Sequence, residues 1–236
     1  MKRRLITLVI TGLLILTIVG NAVAANPNPG VIPNKADLYN NLSIQWWLWA
    51  NSFGADMPFF NTGGPVDISA GQTGNVWFLA GQVNGPPVVR WGEVPAGTSL
   101  FFPLVNLLND YPCPDPTFQP NPGESMEAFL QRTAEDYLAW FAGDPPSSLF
   151  AEIDGKQLTD LSTYKSLTPL FMFTGDASLN TWWDPCITGS PQPGVSNGYW
   201  LLLPPLTPGT HNLHFGSPNP NAGQDITYIL KVTPGN

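Results

Sequence analysis

The sequence has few of the residues that carry most catalytic and metal-binding motifs. Its 236 residues include only two cysteines and two histidines. It contains no G-x-S-x-G, H-E-x-x-H, C-x-x-C, phosphate-loop or G-x-G-x-x-G pattern, and no acidic calcium loop. His211 and His214 are three residues apart in a predicted strand, so they face opposite sides and cannot share a metal without a bulge. We therefore predict neither a metal site nor a cofactor.

Basic residues are also scarce, and three of the nine lie at positions 2–4. They precede an almost unbroken apolar run over residues 5–20 and then small residues that suit cleavage after Ala24 or Ala25. This order is typical of a secretory signal peptide over residues 1–25. An uncleaved anchor is the alternative, although a bilayer span needs about 20 apolar residues. We predict a secreted or extracytoplasmic protein.

Little positive charge remains once residues 1–25 are removed. Six basic residues then face 17 acidic ones, which gives a net charge of −11. Nucleic acids and anionic membranes bind basic patches, so this balance argues against both as partners. No later segment is apolar for long enough to span a bilayer. A glycan or an extracellular protein is the expected partner, although scattered acids are explained as simply by solubility outside the cell.

Proline and glycine, by contrast, are abundant. They number 49 together, and 12% of the residues are aromatic, so the chain is neither mostly helical nor disordered. Short apolar and aromatic runs between Gly/Pro turns predict strands at residues 76–80, 88–91, 99–104, 170–173, 199–203, 210–215 and 226–232, and a hairpin at 150–158. This spacing predicts a mainly β fold, an antiparallel β-sandwich that is jelly-roll-like or immunoglobulin-like.

Two segments have helical periodicity instead. The first repeats apolar residues on one helical face at Leu38, Leu42, Trp46 and Trp49. The second covers residues 126–140. Asn34 and Ser125 are the candidate N-caps of the two helices. We expect both helices at the periphery of the sandwich. Residues 26–34 are punctuated by proline and predict a linker, which leaves residues 35–236 as one β-rich domain.

The two cysteines, Cys113 and Cys186, both follow the predicted signal peptide. In an exported chain, a lone pair is most simply one disulfide. It would close a loop of about 73 residues, which is worth about 4 kcal/mol in the chain-entropy model. A free catalytic thiol or half of a metal site are the alternatives, but two isolated cysteines lack the spacing of metal ligands.

Tryptophan is the most distinctive residue of the chain, with two adjacent pairs, Trp46–Trp47 and Trp182–Trp183. Neighbouring side chains on a regular element point in different directions, which makes one ring of each pair a candidate for poor burial. An exposed indole can stack on a sugar or anchor a protein partner. Burial in the core beneath the helices and loops is the favoured interpretation of both pairs. Trp182 and Trp183 are the better binding candidates because they lie in a loop-like region beside Cys186.

Three stretches of the chain resemble a family of secreted microbial proteins of unknown function. They are GQTGNVWFLAG at residues 71–81, RWGEVPAGTSLFFPLVN at 90–106, and residues 198–228, within a similarity that runs from about 46 to 232. The family offers no activity to carry over. Its members often have a cysteine just before the GQ motif and another at position 92, where this chain has Ser69 and Gly92. The resemblance thus implies that an early disulfide is missing and that Cys113 and Cys186 remain as the pair.

The resemblance also draws attention to Gln72, Trp77 and Arg90 in the shared core. A buried arginine needs a carboxylate or several carbonyls. Arg90 is accordingly expected either in a structural ion pair or as the guanidinium of a binding site.

We predict on these grounds an exported, non-enzymatic binding or structural domain. Its candidate binding residues are Trp182, Trp183, Gln72 and Arg90. The alternative is a secreted hydrolase that uses carboxylates or a single His, supported only by the supply of acids. A hydrolase should have a deep pocket with convergent polar groups of perturbed pKa, whereas a binding module should have a shallow aromatic face.

Overall fold

A computed structural model describes residues 28, 30–83, 85–142, 146, 148–217 and 223–234, with the backbone alone at residue 59. The predicted signal peptide lies outside the described residues. The helices are α1 (Ala36–Asn51), α2 (Met126–Ala142) and α3 (Leu179–Trp182). The strands are β1 (Gly64–Pro65), β2 (Val76–Phe78), β3 (Val88–Pro95), β4 (Ser99–Asp110), β5 (Phe150–Ile153), β6 (Lys156–Gln157), β7 (Lys165–Leu167), β8 (Phe171–Phe173), β9 (Gln192–Leu203), β10 (Gly209–Ser217) and β11 (Gln224–Thr233).

The strands form two sheets that pack together as a β-sandwich. One sheet has the order β1-β3-β11-β10-β5-β6, and the other has the order β2-β4-β9-β7, with β8 also paired to β9. The predicted fold class is therefore confirmed. Both sheets are mixed rather than purely antiparallel, because β3 runs parallel to β1 and β11, and β2 runs parallel to β4. Parallel neighbours need long connections, which the local strand pattern does not reveal.

The second sheet is buried on both faces, which explains the continuous apolar runs of β4 and β9. On one face, Phe102 packs against Phe215 of the first sheet, with 4.3 Å between ring centroids. On the other face, Phe101 stacks on Trp200 at 5.1 Å, and Trp200 contacts Trp46 of α1 at 5.4 Å. Helix α1 packs on this outer face, whereas α2 contacts Asn109 of β4 and Asn197 of β9, whose side chains point to the other face. The two long helices therefore both pack against the second sheet, on opposite faces.

The first tryptophan pair lies in the core, in agreement with the favoured interpretation. Trp46 and Trp47 are 1% and 3% exposed, so neither ring is poorly buried. The Nε1 of Trp46 donates to the carbonyl oxygen of Leu79 at 2.9 Å, and that of Trp47 donates to the hydroxyl of Ser196 at 3.1 Å. Because α1 lies in a groove with neighbours on more than one side, it can bury side chains that point in different directions.

The segment before α1 also packs more closely than a linker does. Val31 is buried, and the backbone N–H of Ile32 donates to the carbonyl of Leu202 at 2.8 Å. Asn34 does not cap α1; its side-chain amide donates instead to the carbonyl of Lys165, and α1 begins after Lys35. The described part of residues 26–34 is therefore part of the domain. None of the helices among the described residues has the length and apolarity that crossing a bilayer requires.

Candidate functional site

A cavity of about 210 Å³ opens at one edge of the sandwich. It lies where β2 of the second sheet meets β3 and β11 of the first, and the end of α1 covers it. Three aromatic rings form its walls, from Trp49, Phe53 and Phe78. Its polar side chains include Arg90 of β3 and Tyr228 of β11. The cavity therefore combines an aromatic lining with a cationic group, as small-molecule sites often do.

Arg90 is held in place by backbone carbonyls rather than by an acid. Its Nη1 donates to the carbonyls of Ala80 and Gly81 at 3.0 and 2.8 Å and to the hydroxyl of Tyr228 at 2.9 Å. Its Nη2 donates to the carbonyl of Asn61 at 2.7 Å. The guanidinium also lies over the Tyr228 ring, 5.6 Å from the centroid. A buried arginine needs either a carboxylate or several carbonyls, and Arg90 has the carbonyls.

The charge of Arg90 has no counter-ion among the described residues. The residue is 1% exposed, and the ion pairs within the described chain do not include it. Its Nε is buried without a hydrogen-bond partner there. The neighbouring Tyr228 hydroxyl stays neutral, because burial raises its pKa. Within the described part of the chain Arg90 therefore forms no structural ion pair, and its charge lines the cavity without a counter-ion there.

Gln72 positions one wall of this cavity. Its side-chain Nε2 donates to the carbonyl of Phe78 at 2.8 Å, and its Oε1 accepts the N–H of Phe78 at 2.9 Å. The amide therefore pairs with the edge strand β2 as another strand would. This satisfies the exposed backbone groups of an edge that is otherwise open to pairing. Gln72 acts through Phe78 and is not among the cavity-lining residues.

The mouth of the cavity carries negative charge. Asp56 and Asp67 both line the cavity and are exposed to solvent. The loop that holds Asp67 is tied to α1, because the Nε1 of Trp49 donates to the carbonyl of Ala70 at 3.0 Å. The polarity thus changes along the cavity from a buried cation, past aromatic walls, to two exposed acids.

Trp182 and Trp183 differ in their exposure. Trp182 ends the short helix α3 and is 73% exposed. Trp183 is half-buried, and its ring packs edge-on against Phe60 at 5.8 Å. Phe60 directly precedes Asn61, which contacts Arg90. The structure therefore brings Arg90, Gln72 and Trp183 to one region of the molecule, whereas Trp182 points away into solvent.

We expect the two tryptophans to respond differently to substitution. Trp182→Ala should change the free energy of unfolding by no more than about 0.5 kcal/mol, because the side chain loses little contact. Trp183→Ala should lower the free energy of unfolding by about 1–2 kcal/mol, since it removes a half-buried ring and its edge-on contact with Phe60. Urea denaturation measures both values. If Trp182 is a partner contact, Trp182→Ala also weakens binding in glycan arrays or pull-downs, and Trp182→Phe retains it. A cost above about 3 kcal/mol for Trp182→Ala would identify that ring as core instead.

A second cavity, of about 240 Å³, lies beside the disulfide. The bond joins Cys113 to Cys186, as predicted, and both residues line the cavity. Asp110, at the end of β4, and Asp184 also line it, and their carboxyl oxygens lie within 4.8 Å of each other. Gln192 donates to the carboxylate of Asp110, and the backbone N–H of Cys186 donates to Asp184 at 2.8 Å.

The environment of this pair of acids favours the protonated form. Burial, and then repulsion from Asp184, raises the pKa of Asp110 to about 8. Burial also raises the pKa of Asp184. Two carboxyl groups this close cannot both ionise at low cost, so the pair retains a proton near neutral pH. Among the described residues that line the cavity there is no lysine, arginine or histidine to offset the second charge.

The two histidines are engaged on the first sheet. Nδ1 of His211 lies 2.7 Å from Asp154, and Nε2 of His214 lies 2.8 Å from Asp225. The side chain of His211 is mostly buried and that of His214 is partly exposed. The structure does not bring them together, and neither lines the two cavities described above.

The acidic pair and most of the first cavity were not predicted from the sequence. Asp110 and Asp184 are 74 positions apart, but they precede the two cysteines by three and two residues. The predicted disulfide was therefore a usable signal for their proximity. Tyr228 and Trp49 had no comparable signal, because both occupy regular apolar positions of a strand and a helix.

Comparisons with known proteins add no assignment to this geometry. A scan against protein-family models found no matching model, and searches among curated proteins and solved structures found no significant match. The resemblance to secreted microbial proteins stays a prediction.

Proposed function

We propose that this protein is an exported, non-enzymatic domain that binds a small molecule in the cavity beside Arg90. One observation carries the proposal: the aromatic cavity of about 210 Å³ is lined by a fully buried guanidinium that has no counter-ion among the described residues. A charge is expensive to bury without compensation, so its presence at a cavity indicates a role beyond packing.

Export is the second part of the proposal. It rests on the signal-peptide pattern of residues 1–25 and on the acidic balance of the remaining chain. The Cys113–Cys186 disulfide supports it, because such bonds persist mainly in oxidising compartments.

Filling the cavity tests the binding function. Ala70 lines the cavity, and Ala70→Phe places a ring where a ligand would lie. We expect saturation-transfer NMR to detect indole on the wild-type protein and to lose at least 90% of that signal with Ala70→Phe. The matched control is Ala128→Phe, an identical change at an exposed position of α2. The proposal also requires that the probe be recovered unchanged.

Two results would contradict this function. One is the failure of wild-type protein to bind any of a set of flat apolar fragments. The other is equal binding by Ala70→Phe and Ala128→Phe, which would place the fragment elsewhere. A melting temperature for Ala70→Phe near that of the wild type ensures that lost binding is not lost folding.

A second candidate function is acid–base hydrolysis in the second cavity. It is favoured by the buried pair Asp110 and Asp184, since two carboxyl groups in unequal environments are the usual means of general acid and base catalysis. Its aromatic lining, from Phe118, Tyr137 and Phe141, could hold a substrate. Hydrolysis of a glycoside panel by the wild type and its loss in Asp110→Asn would support this candidate, and inactivity of the wild type on the panel would count against it.

A further inference from the structure

Arg90 leaves part of its hydrogen-bonding capacity unused. A guanidinium has five N–H donors in a planar fork. The two on Nη1 are shared among three acceptors, and one on Nη2 is taken by Asn61. This leaves the N–H of Nε and one N–H of Nη2 without a partner among the described residues. Two free donors on one guanidinium match the two oxygens of a planar carboxylate.

The walls of the cavity specify the body of the ligand. A cavity of about 150 Å³ lined by apolar side chains binds benzene. The present cavity, at about 210 Å³, therefore has room for a benzene-sized ring and a carboxylate. Trp49, Phe53 and Phe78 present ring faces and edges, which favour a flat apolar partner over a branched or strongly hydrated one.

The mouth of the cavity restricts the far end of the ligand. Asp56 and Asp67 are exposed there, and their charges would repel a second anionic group. A hydrogen-bond donor or a cation at the far end would meet these acids favourably. A dicarboxylate is therefore a poor fit, even though Arg90 favours one carboxylate.

We propose that the cavity binds a small monocarboxylic acid with a flat apolar body, whose carboxylate lies toward Arg90. This inference rests on the proposed binding function and adds the chemical class and the orientation of the ligand. It also gives a reason for the otherwise costly burial of Arg90, because the ligand supplies the missing counter-ion.

Matched ligands test the inference on the wild-type protein without any substitution. Benzoate and benzamide have nearly the same shape, but only benzoate carries a charge. We expect isothermal titration calorimetry to give benzoate at least tenfold the affinity of benzamide. We also expect 4-(aminomethyl)benzoate to bind more tightly than benzoate, and terephthalate, with its second carboxylate at the mouth, to bind at least tenfold more weakly than 4-(aminomethyl)benzoate.

A substitution identifies the group that recognises the carboxylate. Arg90→Met should bind benzoate no more tightly than benzamide, whereas Arg132→Met should keep the wild-type preference. Arg132 is the matched control because it is a surface residue paired with Glu124 at 2.8 Å. If Arg90→Met does not fold, the ligand comparisons on the wild type still decide the question.

The outcomes separate the inference from the function on which it rests. Benzoate and benzamide could bind with equal affinity while Ala70→Phe still abolishes indole binding. This result would contradict the preference for a carboxylate but not the binding site itself. A preference for benzoate that persists in Arg90→Met would assign the carboxylate to another group and overturn the orientation. Failure of indole and all four acids and amides to bind would overturn the binding function itself.

Discussion

Removing the disulfide is expected to lower the free energy of unfolding by about 4 kcal/mol. The variant is Cys113→Ser combined with Cys186→Ser. The bond links residues 73 positions apart, so the unfolded chain regains the freedom of a long loop when it is absent. The loss is large compared with the total stability of a domain, which is typically about 5–15 kcal/mol. Urea denaturation at pH 6 measures it.

Reduction of the wild type provides the control for this prediction. A reductant should lower the stability of the wild-type protein to that of the double serine variant and leave the variant unchanged. The serine hydroxyls are small and lie at residues lining an open cavity, so direct packing loss is minor. If the free energies of unfolding of the oxidised wild type and the double serine variant differ by less than about 1 kcal/mol, the prediction is wrong, because the unfolded chain then gains little freedom when the bond is absent.

The buried acids should make the protein more stable in mild acid than in mild base. Because the pKa of Asp110 is about 8 when folded and near 3.8 otherwise, the native state retains a proton between these values that the unfolded chain has lost. Stability therefore falls as pH rises through this window, at up to about 1.4 kcal/mol per pH unit. We expect a loss of about 3 kcal/mol between pH 5 and pH 8.

Asp110→Asn should remove most of this pH dependence. The amide is neutral at every pH and has the shape of the protonated carboxyl, so it can accept from Gln192 and donate to Asp184. The variant should match the wild type at pH 5 and exceed its stability by about 3 kcal/mol at pH 8. Urea denaturation across this range measures the difference. The comparison also bears on the second candidate function, because a stabilising but inactivating change marks an acid kept for chemistry.

Two controls isolate the contribution of Asp110. Asp115→Asn changes an exposed acid of the same cavity, whose pKa is lowered by hydrogen bonds from Thr117, and should leave the slope between pH 5 and pH 8 as it is. Burial disfavours the charged form of His211, but hydrogen bonds to Asp154 and to the backbone raise its pKa overall. Protonated His211 therefore stabilises the folded protein, and this stabilisation is lost as pH rises. The loss is the same in the wild type and in Asp110→Asn, so it cancels when the two are compared. Parallel curves for wild type and Asp110→Asn would refute the prediction.

Local pattern was sufficient for most of the secondary structure. The predicted strand at 226–232 forms, and its alternation buries Ile226, Tyr228, Leu230 and Val232 because side chains on a strand point to alternate faces. The Asp154–Gly155 turn forms with positive φ at both residues, which is the backbone that this pair favours in a hairpin. Ser125 caps α2 through its hydroxyl, which accepts the N–H of Ala128.

Sequence alone also determined the disulfide and the fold class, because both follow from residue type or short-range spacing, whereas Arg90 was singled out by the resemblance. Only the tertiary structure decided what surrounds them. The parallel pairing of β3 with β11 puts Tyr228 beside Arg90, and the meeting of β4 with the segment after α3 puts Asp184 beside Asp110. These contacts join residues 74 to 138 positions apart, and no local preference encodes them. They arise because two sheets and two helices must bury their apolar faces against one another, which fixes the positions of the polar groups carried on those elements.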